Sequence, residues 1–287
     1  MIFCFCELYT CLRSSRLLEG EAAMADGNLI LEEMRENPFI YRAYFKGDSC
    51  NSYLVASMHE SLAVDVRSAL MRDKLCMLAA GLGADPVKML YFDTGGNSKD
   101  SIRARDGDKI RVGDIILHCV RSPGAGNGRL SLWIPKHGIL LTGEAAGCDP
   151  LPKIRDTDDR EDMLGLMFET IRFFKSLKPM CILPGKGEAA ETARECQALL
   201  DGMMEKYCIQ LLQCYRQIRE NPGHTAEWLE EKTGRGPSGR ECSCAACRKY
   251  LLYRKYVRAK EIEDGTIVYE PGSTQLIWWN APASHSP

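Results

Sequence analysis

Between Lys109 and Glu144 the chain carries four short β-rich runs, KIRV, IILHCVR, RLSLWIP and GILLTGE. They are parted by Gly113 and Asp114, by the turn SPGAGNG, and by Lys136 and His137. Runs this short, rich in Ile, Leu and Val and divided by turn residues, pair as neighbours in one sheet. A chain with such a block at its centre is not all-helical, and the sheet it forms must find an apolar layer to cover it.

A second group of strands comes earlier. FIYRAYFKG, CNSYLVAS and SLAVDVR read as a meander divided by Gly, Asp, Ser and His-Glu turns. SALMRDKLCMLAAGLG (68–83) then sets Leu70, Met71, Leu75, Leu78 and Ala79 at helical spacing, and VKMLYF supplies a fourth strand leading into DTGGNSKD. DDREDMLGLMFETIRFFKSLKP (158–179) predicts a helix capped by Asp158 or Asp159, with Leu166, Thr170, Phe173 and Leu177 on one face and Pro179 as its stop. MCILPGKGE is a buried strand ending in a Gly-Lys-Gly turn. Strands in two groups, each followed by a helix, predict two packed sheets with helices outside.

Beyond Glu188 the pattern is helical to Arg219. Next come a short helix in NPGHTAEWLEEKTG with Thr225 as cap, a loop through GRGPSGRECSCAAC, a helix over 247–260 and a hairpin over 266–280 around Pro271 and Gly272.

With 37 basic against 39 acidic residues in 287, the net charge of −2 gives no general attraction to nucleic acid or an anionic membrane. No apolar run approaches the ~18 residues of a transmembrane helix. The opening MIFCFCELYTCLRSSRLLEG is interrupted by Glu7 and has no basic residue ahead of its apolar part, so it does not read as a signal peptide. Residues 1–23 read as a weakly packed extension or a start-site artefact ahead of Met24. Fourteen cysteines scattered through apolar strands and helices suit a reducing cytoplasm, with most thiols serving as small core residues.

In order and spacing, CNSYLV, SLAVDVRSA, LYFDTGGN, the block from RDGDKIRVGD to LLTGE, and CILPGKG resemble the metallo-β-lactamase superfamily across Phe39–Glu188. The resemblance implies an α/β fold, the αβ/βα sandwich, over residues 39–190. Residues 1–38 would be an N-terminal extension and 191–287 a helical, winged-helix-like C-terminal region. It also implies two zinc ions bridged by a hydroxide, which lower the pKa of bound water towards ~7. The usual carriers are a His-x-His-x-Asp-His loop and Pro-Gly-His, Thr-Gly-Asp and Gly-His-Gly turns.

On this chain the loop becomes Met89, Tyr91, Asp93 and Thr94, and the turns become Pro123-Gly124-Ala125, Thr142-Gly143-Glu144 and Gly185-Lys186-Gly187. Asp93 alone is kept, and Glu144 is the one other carboxylate. Two oxygen donors do not hold two zinc ions against water, and Lys186 puts an ammonium where a ligand belongs. The expectation is a vestigial pocket of Met89, Tyr91, Thr94, Ala125 and Lys186, with no cofactor. The two carboxylates are expected to pair with Lys186, the alternatives being a single Zn, Mn or Mg ion on Asp93 and Glu144, or exposure with no partner. Only NSKDSIRAR separates Gly96 from Asp106, so the cleft is expected to be shallow on that side.

No histidine falls at a ligand position. His118, alternating with Ile116 and Val120, is expected to face inward or line the cleft edge, and His137 to be solvated at a hairpin tip. Cys242, Cys244 and Cys247 could embrace a zinc ion or an iron–sulfur cluster only if Cys196, Cys208 or Cys214 reaches them through folding. RKYLLYRKYVRAK is basic, with Arg254 and Lys255 as candidate nucleic-acid contacts. Residues 222–287 nevertheless hold nine basic and eight acidic side chains, and Tyr250, Tyr253 and Tyr256 read as a packing stripe. TQLIWWN, with Trp278 and Trp279, suits a protein partner or a second copy. The leading expectation is a binding or assembly protein. The alternatives are a mononuclear hydrolase of an ester, thioester or phosphoester, and a nucleic-acid binder. No membrane contact is expected, and the small-molecule substrate stays open.

Overall fold

The computed structural model describes residues 29–35, 37–84, 87–91, 101–124, 130–147, 151, 152, 154, 162–234 and 242–274. Six strands form the first sheet in sequence order: β1 (Leu29–Glu33), β2 (Ile40–Phe45), β3 (Ser52–Ser57), β4 (Glu60–Val64), β5 (Val87–Leu90) and β6 (Ser101–Ile102). The first four are an antiparallel meander. Helix α1 (Ala69–Gly81), capped by Ser68 accepting from the Met71 N–H, crosses over to the parallel strand β5. The sheet starts ahead of the expected boundary at residue 39, because Leu29–Glu33 pair along β2 in full register.

The second sheet runs β11-β10-β9-β8-β7, from β7 (Lys109–Val112), β8 (Ile115–Arg121), β9 (Leu130–Ile134), β10 (Ile139–Gly143) and β11 (Cys181–Pro184). Helix α2 (Met163–Leu177) links β10 to its parallel neighbour β11. Every residue of β10 is buried, since Ile139 and Leu141 face the first sheet while Leu140 lies beneath the helices. Three apolar layers result. Ile40, Tyr53, Val55, Leu62, Leu117 and Leu132 fill the space between the sheets; Met71, Leu75 and Ala79 of α1 cover the first sheet; α2 and its neighbours cover the second. Burial of these side chains is worth about 1.5–3 kcal/mol each before chain entropy is subtracted.

Several expectations are corrected by packing. Helix α2 is capped by Asp162, which accepts from the Gly165 N–H, and not by Asp158 or Asp159. Its most buried stripe is Leu164, Met167, Phe168, Ile171 and Phe174, whereas Phe173 is 40% exposed. On β8 the inward set is Ile115, Leu117 and Cys119, so His118 belongs to the opposite face.

His137 is not free at its hairpin tip: its ring stands 4.6 Å from that of Phe39. Burial, and then Lys136, hold its pKa below the ordinary 6.5 against the opposing Asp114 carboxylate. The unfolded chain therefore takes up this proton first as acid is added. Stability is expected to fall as the pH drops from about 6.5 towards the lower folded value, and to be unaffected by this group above it. Unfolding titrations across that range should show a shallower slope for His137→Gln; an identical slope would remove His137 as its source.

Beyond β11 the chain forms α3 (Ala193–Glu220), opened by a Thr192/Glu195 capping box, then β12 (His224–Thr225), α4 (Ala226–Gly234) and α5 (Cys244–Tyr253). Strands β13 (Val257–Glu261) and β14 (Ile267–Pro271) complete a small antiparallel sheet in the order β12-β14-β13. The expected helix over 247–260 thus ends at Tyr253. Lys255 turns the backbone at φ 59°, and VRAKE pairs with IVYEP around Gly265. The hairpin expected around Pro271 and Gly272 is replaced by this one, and Trp278 and Trp279 lie outside the described residues. Cys244, expected in a loop, belongs to α5, which starts three residues ahead of the expected Cys247. Tyr250 and Tyr256 pack against the core, whereas Tyr253 is exposed. No helix among the described residues is long and apolar enough to cross a membrane.

Candidate functional site at the strand ends

The turns after β4, β8, β10 and β11 gather where the two sheets meet, and each is held by groups far away in sequence. Asn51, only 1% exposed, donates from Nδ2 to the carbonyls of Pro184 (2.9 Å) and Gly187 (2.8 Å) and accepts from Arg42 Nε at 2.9 Å. Tyr53 donates from its hydroxyl to Pro184 O at 2.7 Å, and Arg42 Nη2 donates to Gly187 O at 3.1 Å. Asn and Tyr of the NSYLV strand therefore clamp the Gly185-Lys186-Gly187 turn from the opposite sheet. Backbone bonds between Asn51 and Gly185, and between Gly187 and Ser49, continue the seam.

Two glycines are required by close approach. A Cβ on Gly185 would sit 2.9 Å from the Gly143 carbonyl, where the Gly185 N–H donates to Gly143 O. A Cβ on Gly124, whose φ is +104°, would lie 2.6 Å from Cα and N of Met167 in α2. The preceding carbonyl, Pro123 O, accepts from Thr170 Oγ1 of the same helix at 2.7 Å.

Inside this frame stand four charges. Lys186 Nζ lies 3.0 Å from Glu144 Oε1, and Arg67 Nη2 lies 3.8 Å from the same oxygen and 3.0 Å from Asp65 Oδ2. Asp65 itself turns at φ 58°, and its carbonyl accepts from Ser52 Oγ at 2.7 Å. Cys50 bridges to Lys186 through the backbone; burial, and then the Asp48 carboxylate, push its thiol up against the opposing pull of Arg67 and Lys186. Asp65, Arg67 and Cys50 were not singled out from the sequence. The available signal was a charged pair directly after the apolar run SLAV, at a strand end that the resemblance places in the cleft.

The other expected site residues divide into two groups. Met89 is buried beneath α1 with Tyr91 packed against the same cluster, so neither is joined to the Glu144–Lys186 pair. Asp93, Thr94 and Ala125 lie outside the described residues. Among the described residues no three His, Cys, Asp or Glu side chains form a group able to hold a metal ion. Glu144 is one carboxylate already engaged by two cations, and an ammonium has no lone pair to offer a metal. The described donors therefore do not fit the zinc pair that the fold implies.

At the C-terminus folding brings Cys214 of α3 to the cysteine group, its Sγ 3.8 Å from that of Cys244, while Cys242 and Cys247 Sγ stand 3.5 Å apart. Cys196 and Cys208 do not share these contacts: Cys196 Sγ donates to Ala190 O. Arg254 lies over the Tyr250 ring and 3.9 Å from Glu169 Oε1.

Two mixed sheets face to face, helices on both outer surfaces, and glycine turns gathered at one seam are the metallo-β-lactamase fold. Solved structures bear this out. A metallo-beta-lactamase family protein from Thermus thermophilus superposes with a TM-score of 0.58 at 15% identity, covering 85% of this chain and 97% of that one. A beta-lactamase domain protein from Burkholderia ambifaria gives a TM-score of 0.64 at 14% identity, covering 86% and 96%. Those shares exceed what the sandwich alone supplies, so the likeness runs into the C-terminal helices. No protein-family model matches the chain, and no curated protein is similar to it in sequence.

Proposed function

We propose that this chain is a metallo-β-lactamase-fold pseudoenzyme, which keeps the frame of the hydrolase cleft without its binuclear centre and serves a binding or assembly role. The observation that carries the reading is Lys186 Nζ at 3.0 Å from Glu144 Oε1, at the two positions where the resemblance puts metal ligands. A role through surfaces is supported by Met58, Met77 and Met180, which are 66%, 68% and 56% exposed. A surface cavity of about 620 Å³ beside Met58 is lined by Phe39, Tyr41, Leu82 and Ala84. The partner is a protein or a second copy of the chain. A reducing, cytoplasmic setting agrees with the use of Cys119, Cys181 and Cys196 as core residues, whose thiols burial pushes up to about 11, 12 and 11.

The test is metal content of protein purified without chelator. Less than one equivalent is expected, with an unfolding midpoint indifferent to chelator; two equivalents of zinc or iron per chain would overturn the reading. The pair itself is about a third exposed, so Lys186→Met and Glu144→Gln are expected to cost only about 0.5–1 kcal/mol each in denaturant unfolding. Chelator-sensitive turnover of an ester, thioester or phosphoester that Asp93→Ala abolishes would support the mononuclear alternative instead.

We propose a winged-helix-like architecture for the C-terminal region, which the element order α3, β12, α4, α5, β13, β14 supports. Its basic residues are largely spent on internal pairs, Arg248 with Glu230, Arg254 with Glu169, and Arg258 and Lys260 with Glu270. We therefore favour a structural role over nucleic-acid binding. Salt-sensitive retention on DNA or RNA that weakens on neutralising Arg254 and Lys255 would reverse that preference.

A further inference from the structure

We propose that Cys214 and Cys244 form a peroxide-oxidisable dithiol that cross-links helix α3 to helix α5. Their Sγ atoms are 3.8 Å apart, 1% and 6% of the two residues being exposed, on helices that pack directly against each other. A disulfide between them requires the sulfurs to close by about 1.7 Å.

A second observation marks Cys244 as the reacting sulfur. Cys244 is the first residue of α5, where free backbone N–H groups and the helix dipole favour a negative charge. Arg248 follows one turn later on the same face. Its side chain is 11% exposed, its guanidinium lies 5.0 Å from the centre of the Tyr269 ring, its Nε and Nη1 are buried with no hydrogen-bond partner, and among the described residues Glu230 Oε1 stands 3.5 Å from Nη2. A buried guanidinium with two unspent donors is costly unless an anion lies close by. Glu230 is one such anion, and a Cys244 thiolate one helical turn before Arg248 would be a second. Cys244 is thus the nucleophile and Cys214 the thiol that resolves it.

The step balances with hydrogen peroxide as oxidant. The Cys244 thiolate attacks one peroxide oxygen; an S–O bond forms, the O–O bond breaks, and hydroxide leaves and takes up the Cys214 proton. Cys214 sulfur then attacks Cys244 sulfur, the S–S bond forms, and the S–O bond breaks with loss of a second hydroxide, protonated to water. Two thiols lose two electrons and one peroxide becomes two waters. Only a water-sized oxidant suits sulfurs this buried. The neighbouring Cys242 and Cys247, with Sγ atoms 3.5 Å apart, are the internal comparison, since Cys242 precedes the helix and neither has Arg248 one turn beyond it.

The experiment treats the reduced full-length chain with hydrogen peroxide, counts thiols after denaturation and maps the cross-link by peptide mass. The expected product has lost two thiols and about 2 Da, with Cys214 joined to Cys244. In Cys214→Ser, a sulfenic-acid probe should tag Cys244. Arg248→Met, checked for a native melting curve, should slow oxidation by about tenfold. A first cross-link between Cys242 and Cys247, an untagged Cys244 in Cys214→Ser, or an Arg248→Met rate equal to wild type would each overturn the proposal. So would a zinc ion that has to be stripped before these thiols react.

Discussion

Gly124→Ala is expected to destabilise the chain by about 3–5 kcal/mol, combining an overpacked contact with a backbone conformation that L residues rarely adopt. The added methyl would meet the Met167 backbone at 2.6 Å, and α2 has no room to retreat because Met167 and Phe168 are already seated in the core. Backbone atoms do not swing aside as the end of a long side chain would. The measurement is denaturant unfolding at constant m-value. A loss below about 1 kcal/mol would mean that α2 does not rest on this turn. The same contact accounts for a glycine that persists beside an absent ligand histidine: the turn carries a helix, whatever stands at Ala125.

Asn51→Ala is expected to cost about 2–4 kcal/mol, because it strips three hydrogen bonds from a site only 1% exposed and leaves Arg42 Nε without its acceptor. Pro184 O and Gly187 O keep one donor each, from Tyr53 and Arg42, which caps the loss. Tyr53→Phe, by comparison, removes one donor and should cost about 1 kcal/mol. Asn51→Asp should not rescue, since its carboxylate would face two carbonyl oxygens. If Asn51→Ala proved no worse than Tyr53→Phe, the clamp on the Gly-Lys-Gly turn would lie elsewhere.

Much of the sandwich is legible in the sequence because its signals are local. Ser68 ahead of Leu70, Met71 and Leu75 marks the start of α1, and Gly113-Asp114 and Lys136-His137 mark the reversals between β7 and β8 and between β9 and β10. The C-terminal region misleads for the opposite reason. KYVRAK continues a helical pattern from RKYLLY, yet pairing with IVYEP and the close approach of Gly272 to the Lys255 carbonyl pull it into a strand. Cross-strand bonding outweighs a weak helical preference there. Asp158 and Asp159 have the same capping chemistry as Asp162, and it is Asp162 that meets the Gly165 N–H.

The cleft was legible in half. Glu144 and Lys186 stand out as the wrong residues in familiar turns, since a missing histidine is visible in one dimension. Asp65 and Arg67 do not, because their meaning depends on a guanidinium reaching across the seam to a carboxylate far along the chain.

By itself, the order of apolar runs and glycine turns determined the two sheets, the helices between their strands and the loss of ligand histidines, all properties of neighbours in sequence. Tertiary structure alone decided that Lys186 meets Glu144, that Asn51 and Arg42 hold the turn between them, and that Cys214 meets Cys244. Contacts across separate elements are set by how whole faces pack, and side-chain periodicity specifies which face is apolar without specifying what it will touch.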